Sequence, residues 1–220
     1  FAITVGRDNF MGLEKYFQLE GLAYRLVPYV AQSPDGQTGV VHTEKMYERL
    51  VKKFEWGGFN NPDLYFDETN TRMVMNFRNN YSRLAESLYQ KGAKHVIKKF
   101  DNQITKQITK KEITEANDIL EVMLQEKYPK LGGKTPRVAM LIKNGFLDKK
   151  TGKIVQSKFF SQPKQVIKEI SKVFKLTTGS IDSAYVDSMN LKAIKVLDVC
   201  MAEFPRDVVN LSYFALPIID

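Results

Sequence analysis

A run of arginine and asparagine is the part of this sequence best suited to holding a ligand. Arg72, Asn76, Asn79, Asn80 and Arg83 recur at steps of three and four, so a helix brings them to one face. Guanidinium groups offer five N–H donors, and carboxamides offer donors and acceptors, a set suited to a peptide backbone or another polar surface. Asparagine is a poor helix former, so it is odd as mere filler. Trp56 adds a large aromatic ring upstream. Two uses stand side by side: contact with a bound partner, or hydrogen bonds to the backbone of the Phe1–Pro28 region.

Residues for catalysis are scarce. The chain has one cysteine, Cys200, and two histidines, His42 and His95, far apart in sequence. A Cys/His metal cluster is therefore excluded, as is an internal disulfide. Cys200 occupies a small-residue position on a helix and reads as a buried thiol. His42, beside a predicted helix cap at Thr43, reads as a surface residue. Val5-Gly6 lacks the spacing of a phosphate-cradling loop. Asp8, Glu14, Glu20 and Arg25 could line a polar cleft, but helix capping and solvated helix faces are the plainer reading. No catalytic residue, metal or cofactor is assigned, and the chain is expected not to be an enzyme in its own right.

Charge separates one region from the rest. The chain carries +8, but Lys91 to Lys175 holds 20 Lys/Arg against 8 Asp/Glu, a net of +12, and the remainder is −4. The candidate basic surface is Lys98, Lys99, Lys106, Lys110, Lys111, Lys149 and Lys150. A solvated face is the ordinary fate of such lysines, and contact with anionic lipid is the next reading. Lysine far outnumbers arginine and stacked-aromatic motifs are missing, which speaks against nucleic acid.

The elements that must position these groups are mainly helical. Phe1–Val5 and Ala23–Val27 read as short strands, with a helix over about 10–20 between them and a Pro/Gly turn at Ser33–Gly39. Thr43 starts a helix to about Trp56. A longer helix runs from Thr69 or Asn70 to Lys91, with Gly92 as its stop. In the basic region, Thr109-Lys110-Lys111-Glu112 is a capping-box pattern that opens a helix reaching Tyr128. Phe146-Leu147 and Ile154-Val155 suggest a small hairpin around a turn at 148–153. Helices are predicted after Ser161 and over about Asn190–Phe204, and 210–220 looks like the start of another. No apolar run is long enough for a membrane span. Phe1, strand-like and not Met, suggests a chain whose upstream part is missing.

The last helix fits half of a tetratricopeptide-like unit: Ala193, Leu197, Cys200 and Pro205 have its small, large, small and terminal-Pro spacing. Leu84-Ala85, Leu88 and Gly92 fit the first half. The expected organisation is a split helical body (1–92 and 191–220) interrupted by a basic, mostly helical insertion (93–190).

The run from Phe10 through Gly12-Leu13-Glu14-Lys15-Tyr16-Phe17-Gln18-Leu19-Glu20-Gly21-Leu22-Ala23-Tyr24-Arg25-Leu26-Val27 to Pro28 resembles a signature in a bacterial family of multi-span membrane proteins. Met46-Tyr47, Trp56-Gly57-Gly58, Arg72-Met73, Arg78-Asn79-Asn80 and Arg83-Leu84-Ala85-Glu86 extend the similarity over about 1–92 and 191–217. The membrane part of that family resembles GT-C glycosyltransferases of the protein O-mannosyltransferase kind. The resemblance implies a domain on the extracytoplasmic (periplasmic) side of the inner membrane, tethered by a membrane region upstream. It also implies a role in recognising a partner or substrate protein beside a transferase. The fold class expected is mainly α, a tetratricopeptide-like helical hairpin with a small α/β N-terminal part. The alternative is a stand-alone helical adaptor whose basic insertion binds anionic lipid or another polyanion.

Overall fold

Phe17 and Leu19, with the polar Gln18 between them, make a strand buried along its length, β1 (Phe17–Leu19). In the computed structural model, which describes residues 1–61, 63–125 and 133–205, β1 is the centre of a three-stranded sheet. β2 (Tyr24–Leu26) pairs with it antiparallel, Phe17 opposite Leu26, and β3 (Val40–Val41) pairs parallel on the other side. Phe1–Val5 contributes only a bridge from Ala2 to Ala23. Tight helical turns at Arg7–Phe10 and Glu14–Tyr16 replace the helix expected over 10–20. Aromatic packing explains the change: the Phe17 ring lies 5.0 Å from Phe10, 4.9 Å from Phe1 and 5.4 Å from Tyr24. A strand delivers Phe17 to that cluster, and tertiary burial outweighs local helix propensity.

α1 (Thr43–Tyr47) follows, capped not by Thr43 but by His42, whose Nδ1 accepts from the Lys45 N–H at 3.4 Å. It continues into a π-helical turn, Glu48–Lys53, closed by the Phe54 N–H on the Arg49 carbonyl. α2 (Glu68–Thr105) then runs 38 residues. Gly92 does not stop it. Beyond Gly92 the residues Ala93, Val96, Ile97, Phe100 and Ile104 keep the three-four spacing and are all buried. Each large apolar side chain so buried contributes roughly 1.5–3 kcal/mol, more than the ~1 kcal/mol that one helical glycine costs.

The chain divides into two compact units, Phe1–Tyr89 with the described part of 188–215, and Gln90–Asp187. The first holds the sheet, α1 and an aromatic nest in which Trp56 lies 5.0 Å from Phe77 and 5.1 Å from Phe204. The second is built from α3 (Lys110–Gln125), α4 (Lys134–Lys143), α5 (Gln156–Ser161) and α6 (Pro163–Ser171) around the second half of α2. Its capping box forms as the sequence predicts: the Thr109 N–H donates to Glu112 Oε2 at 2.7 Å and the Glu112 N–H to Thr109 Oγ1 at 3.2 Å. Leu147 and Ile154 form the expected antiparallel bridge. Gln103 near the end of α2 and Gln107 in the turn just after it hydrogen-bond the backbones of Thr177 and Lys175 in both directions, holding that extended segment as a neighbouring strand would. α7 (Ser183–Glu203) starts earlier than predicted because the Asp182 carboxylate caps it, accepting from the Tyr185 N–H at 3.0 Å. Tyr128 and the helix expected at 210–220 lie outside the described residues. The architecture is mainly helical with a small N-terminal sheet.

Candidate functional site

The first unit concentrates buried polar groups, and two clusters organise them. Gln18 and Glu20, alternate residues at β1, point to the same side. The Glu20 side chain is 3% exposed, yet three cations reach its carboxylate: Lys45 Nζ at 2.9 Å, Arg49 Nη1 at 3.2 Å and Arg25 Nε at 3.6 Å. Gln18 Nε2 donates to it at 2.8 Å, and Arg49 Nη1 also donates to the Glu20 carbonyl at 2.6 Å. Burial pushes this carboxyl up, but the hydrogen bonds from Lys45 and Gln18 and the charges of Arg25 and Lys45 outweigh it, holding Glu20 below the usual range. Lys45 and Arg49 are four residues apart across α1 and the π turn, which brings both to one face. Gly21, at φ +119°, makes the tight turn after Glu20; a Cβ there would sit 3.4 Å from Arg49 Cδ.

The second cluster is built on Arg83 of α2, whose side chain is 4% exposed. Its Nε donates to Asp35 Oδ2 at 2.8 Å, Nη1 to the Thr38 carbonyl at 3.1 Å and Nη2 to the Gly39 carbonyl at 2.7 Å. Asp35 in turn accepts from Ser33 Oγ at 2.6 Å and from the Gln37 N–H at 2.9 Å. Burial raises the Asp35 carboxyl, but the Ser33 and Arg83 hydrogen bonds prevail and lower it. The Ser33–Gly39 turn is thus folded around one guanidinium. Gly39, at φ +78°, has no room for a side chain: a Cβ would meet the Tyr24 ring at 2.7 Å.

The predicted polar face on α2 splits in two along the helix. Arg83 and Asn80 are buried, and Asn80 Nδ2 has no hydrogen-bond partner among the described residues. Asn79 is exposed and donates to Gln37 Oε1 at 3.1 Å. Asn76 and Arg72 are exposed, and Arg72 pairs with Glu68 at 2.6 Å. Trp56 is buried in the aromatic nest. The split follows burial: no residue from Glu68 to Asn76 is buried, whereas from Asn79 onward the same side meets the Ser33–Gly39 turn. Arg83 therefore serves structure, and its backbone partners lie in 38–39 instead of Phe1–Pro28.

Exposed apolar residues gather near the start of α2. Tyr65 is 90% exposed, Met75 58%, Leu64 42% and Met73 39%, and no residue from Glu68 to Asn76 is buried. The spacing of apolar residues alone could not separate this stretch from a core-facing one.

Of the basic candidates, Lys98, Lys106, Lys110 and Lys149 are exposed and form no ion pair among the described residues. Lys111 is exposed and lies 3.9 Å from Glu115, Lys150 is exposed beside Asp148, and Lys99 is half-buried.

Residues 1–45, which contain β1, Glu20, Asp35 and Lys45, are similar to the family model of TMEM260-associated domain 2. That similarity ties the N-terminal part to a membrane-protein family. No curated protein and no solved structure matches the chain. No helix among the described residues is long and apolar enough to cross a membrane.

Proposed function

We propose that this chain is a non-catalytic interaction domain of a glycosyltransferase-like membrane protein, recognising a partner or substrate protein on the extracytoplasmic side of the bacterial inner membrane. The similarity of residues 1–45 to a domain associated with a membrane-protein family supports the setting. The resemblance of the Phe10–Pro28 run supports the glycosyltransferase-like, O-mannosyltransferase-related parent and the tether upstream. Burial of Ala85, Ala193 and Cys200, at 2%, 1% and 0% exposure, supports the tetratricopeptide-like reading, because such positions let helix axes approach closely.

The observation that carries partner recognition is the exposed start of α2. It presents Met73 and Met75 with Arg72 and Asn76, next to Tyr65 and Leu64. Methionine adapts its shape to a binding partner, and a clustered apolar surface rimmed by polar groups is the usual form of a protein contact. The test is a photo-crosslinking residue at position 75 in the membrane-anchored protein, with Met75→Glu and Tyr65→Ser as variants. Cross-linked partner that is lost in both variants, with melting temperature unchanged, supports the reading. Capture that is unaffected by either variant removes this surface from it. Sugar transfer by the 220-residue chain alone would overturn the non-catalytic reading.

A second reading rests on Lys98, Lys106, Lys110 and Lys149, whose charges are not offset by described acids. An adaptor that lies on anionic lipid would use them, each lysine contributing about 1 kcal/mol near the surface. Co-sedimentation with anionic vesicles that collapses between about 50 and 200 mM salt would favour it. Equal recovery with neutral vesicles would reject it.

A further inference from the structure

Arg25, Lys45 and Arg49 hold more charge than Glu20 can neutralise. One buried carboxylate needs one well-placed cation and a hydrogen-bond donor, and Lys45 at 2.9 Å with Gln18 at 2.8 Å already meets that need. Two further guanidinium groups lie within 3.6 Å of the same carboxylate, so three cations face one buried anion. Two other acids lie nearby: Glu44, 3.5 Å from His42 Nδ1, and Glu48, which pairs with Lys53 at 2.8 Å and also interacts with the charge of Arg49. The cations are not sealed in, since the side chains of Arg25, Lys45 and Arg49 are 60%, 37% and 39% exposed. Arg25 engages the carboxylate only through Nε; its two Nη groups form no hydrogen bond among the described residues.

We infer that Arg25, Lys45 and Arg49 form an anion site beside Glu20 that takes a phosphate group. A phosphate carries about −1.5 to −2 charge near neutral pH, more than a single carboxylate would bring to three converging cations. The free edge of the Arg25 guanidinium offers the paired N–H geometry that phosphate oxygens accept. Glu20 fixes the three cations toward one point before the ligand arrives, which lowers the ordering cost of binding. The phosphate is either free in solution or part of a larger molecule such as a lipid headgroup; the chemistry at the site is the same.

The test is titration of the 220-residue chain with inorganic phosphate, followed by backbone amide NMR shifts, alongside Arg25→Gln and Lys45→Gln. Arg25 is largely exposed, so its variant keeps the fold. The expected result is saturable shifts around 25, 45 and 49, with affinity about tenfold lower in each variant, the loss of one charge-assisted contact. Vesicles containing phosphatidic acid, set against phosphatidylcholine alone, locate the source. Retention that needs Arg25 assigns a lipid headgroup, and a response to inorganic phosphate alone assigns a soluble ligand. The inference is overturned if no saturable shift occurs at these residues. It is equally overturned if both variants bind as the parent does, which would place phosphate on the lysines of 91–175 instead.

Discussion

The two units of this chain are held together in different ways. Gln18, Glu20, Thr43, Asn80 and Arg83 are buried polar residues, and all belong to the first unit. The principal buried cluster of the second unit is wholly apolar, from Ala93 through Ile170 to Val186. A buried charge is tolerated only while every partner is in place, so the first unit depends on a few directional contacts. The second depends on volume, which many side chains share. The difference teaches where function is best sought: directional polar sites can be read by a ligand, and a packed apolar core cannot.

The largest expected effect is in the first unit. Arg83→Met removes the centre of the Ser33–Gly39 turn and leaves Asp35 and two carbonyls without their donor, at a cost of about 3–5 kcal/mol. Hydrogen exchange read separately in the two units checks it, since two units need not unfold in one transition. Protection should fall in 1–89 and persist in 90–187; equal loss in both would erase the distinction. Next is Ile170→Ala, at a fully buried position of the second unit, expected to cost about 2–5 kcal/mol through a cavity and to act in the opposite unit by the same readout.

Acid should weaken the first unit. Glu20 and Asp35 have folded values held below their ordinary 4.5 and 3.8. A lowered carboxyl stabilises the fold above its ordinary value, and that contribution is lost as pH falls through the folded value. Protection of the first unit should therefore decline below about pH 4.5, and Glu20→Gln should flatten the decline while costing about 1–3 kcal/mol at neutral pH. A decline unchanged in that variant would assign the acid sensitivity elsewhere. Thr109→Ala, which removes half of the capping box, should cost about 0.5–2 kcal/mol, confined to the second unit in urea-dependent exchange. The smallest effect is Lys98→Glu with Lys149→Glu, both exposed. Stability should stay within about 0.5 kcal/mol per site, while any affinity for anionic vesicles should fall.

Much of the helical layout was legible because its signals are local. Thr109 and Glu112 are three residues apart, Phe146-Leu147 and Ile154-Val155 flank a short turn, and the positive stretch from Lys91 can be counted. The extension of α2 past Gly92 was misread because a glycine is a strong local stop signal, while the stripe from Ala93 to Ile104 acts only once a core exists to bury it. The sequence placed the units' change of character near 92 and 190; the structure divides them at 89/90 and 187/188.

The candidate sites were less legible. Arg72 and Arg83 share a helical face and look alike in sequence, but one is solvated and the other folds a turn 45 residues away. Glu20 read as a solvated glutamate because its partners Lys45 and Arg49 lie beyond a strand and a loop.

The sequence by itself determined the mainly helical class, the Thr109–Glu112 capping box, the charge division and the scarcity of catalytic groups, because these follow from composition and from contacts within one or two turns. Only the tertiary structure decided which polar residues are buried and which remain free to bind. Burial is set by what other segments bring alongside, as the Ser33–Gly39 turn does for Arg83 and as α1 does for Glu20.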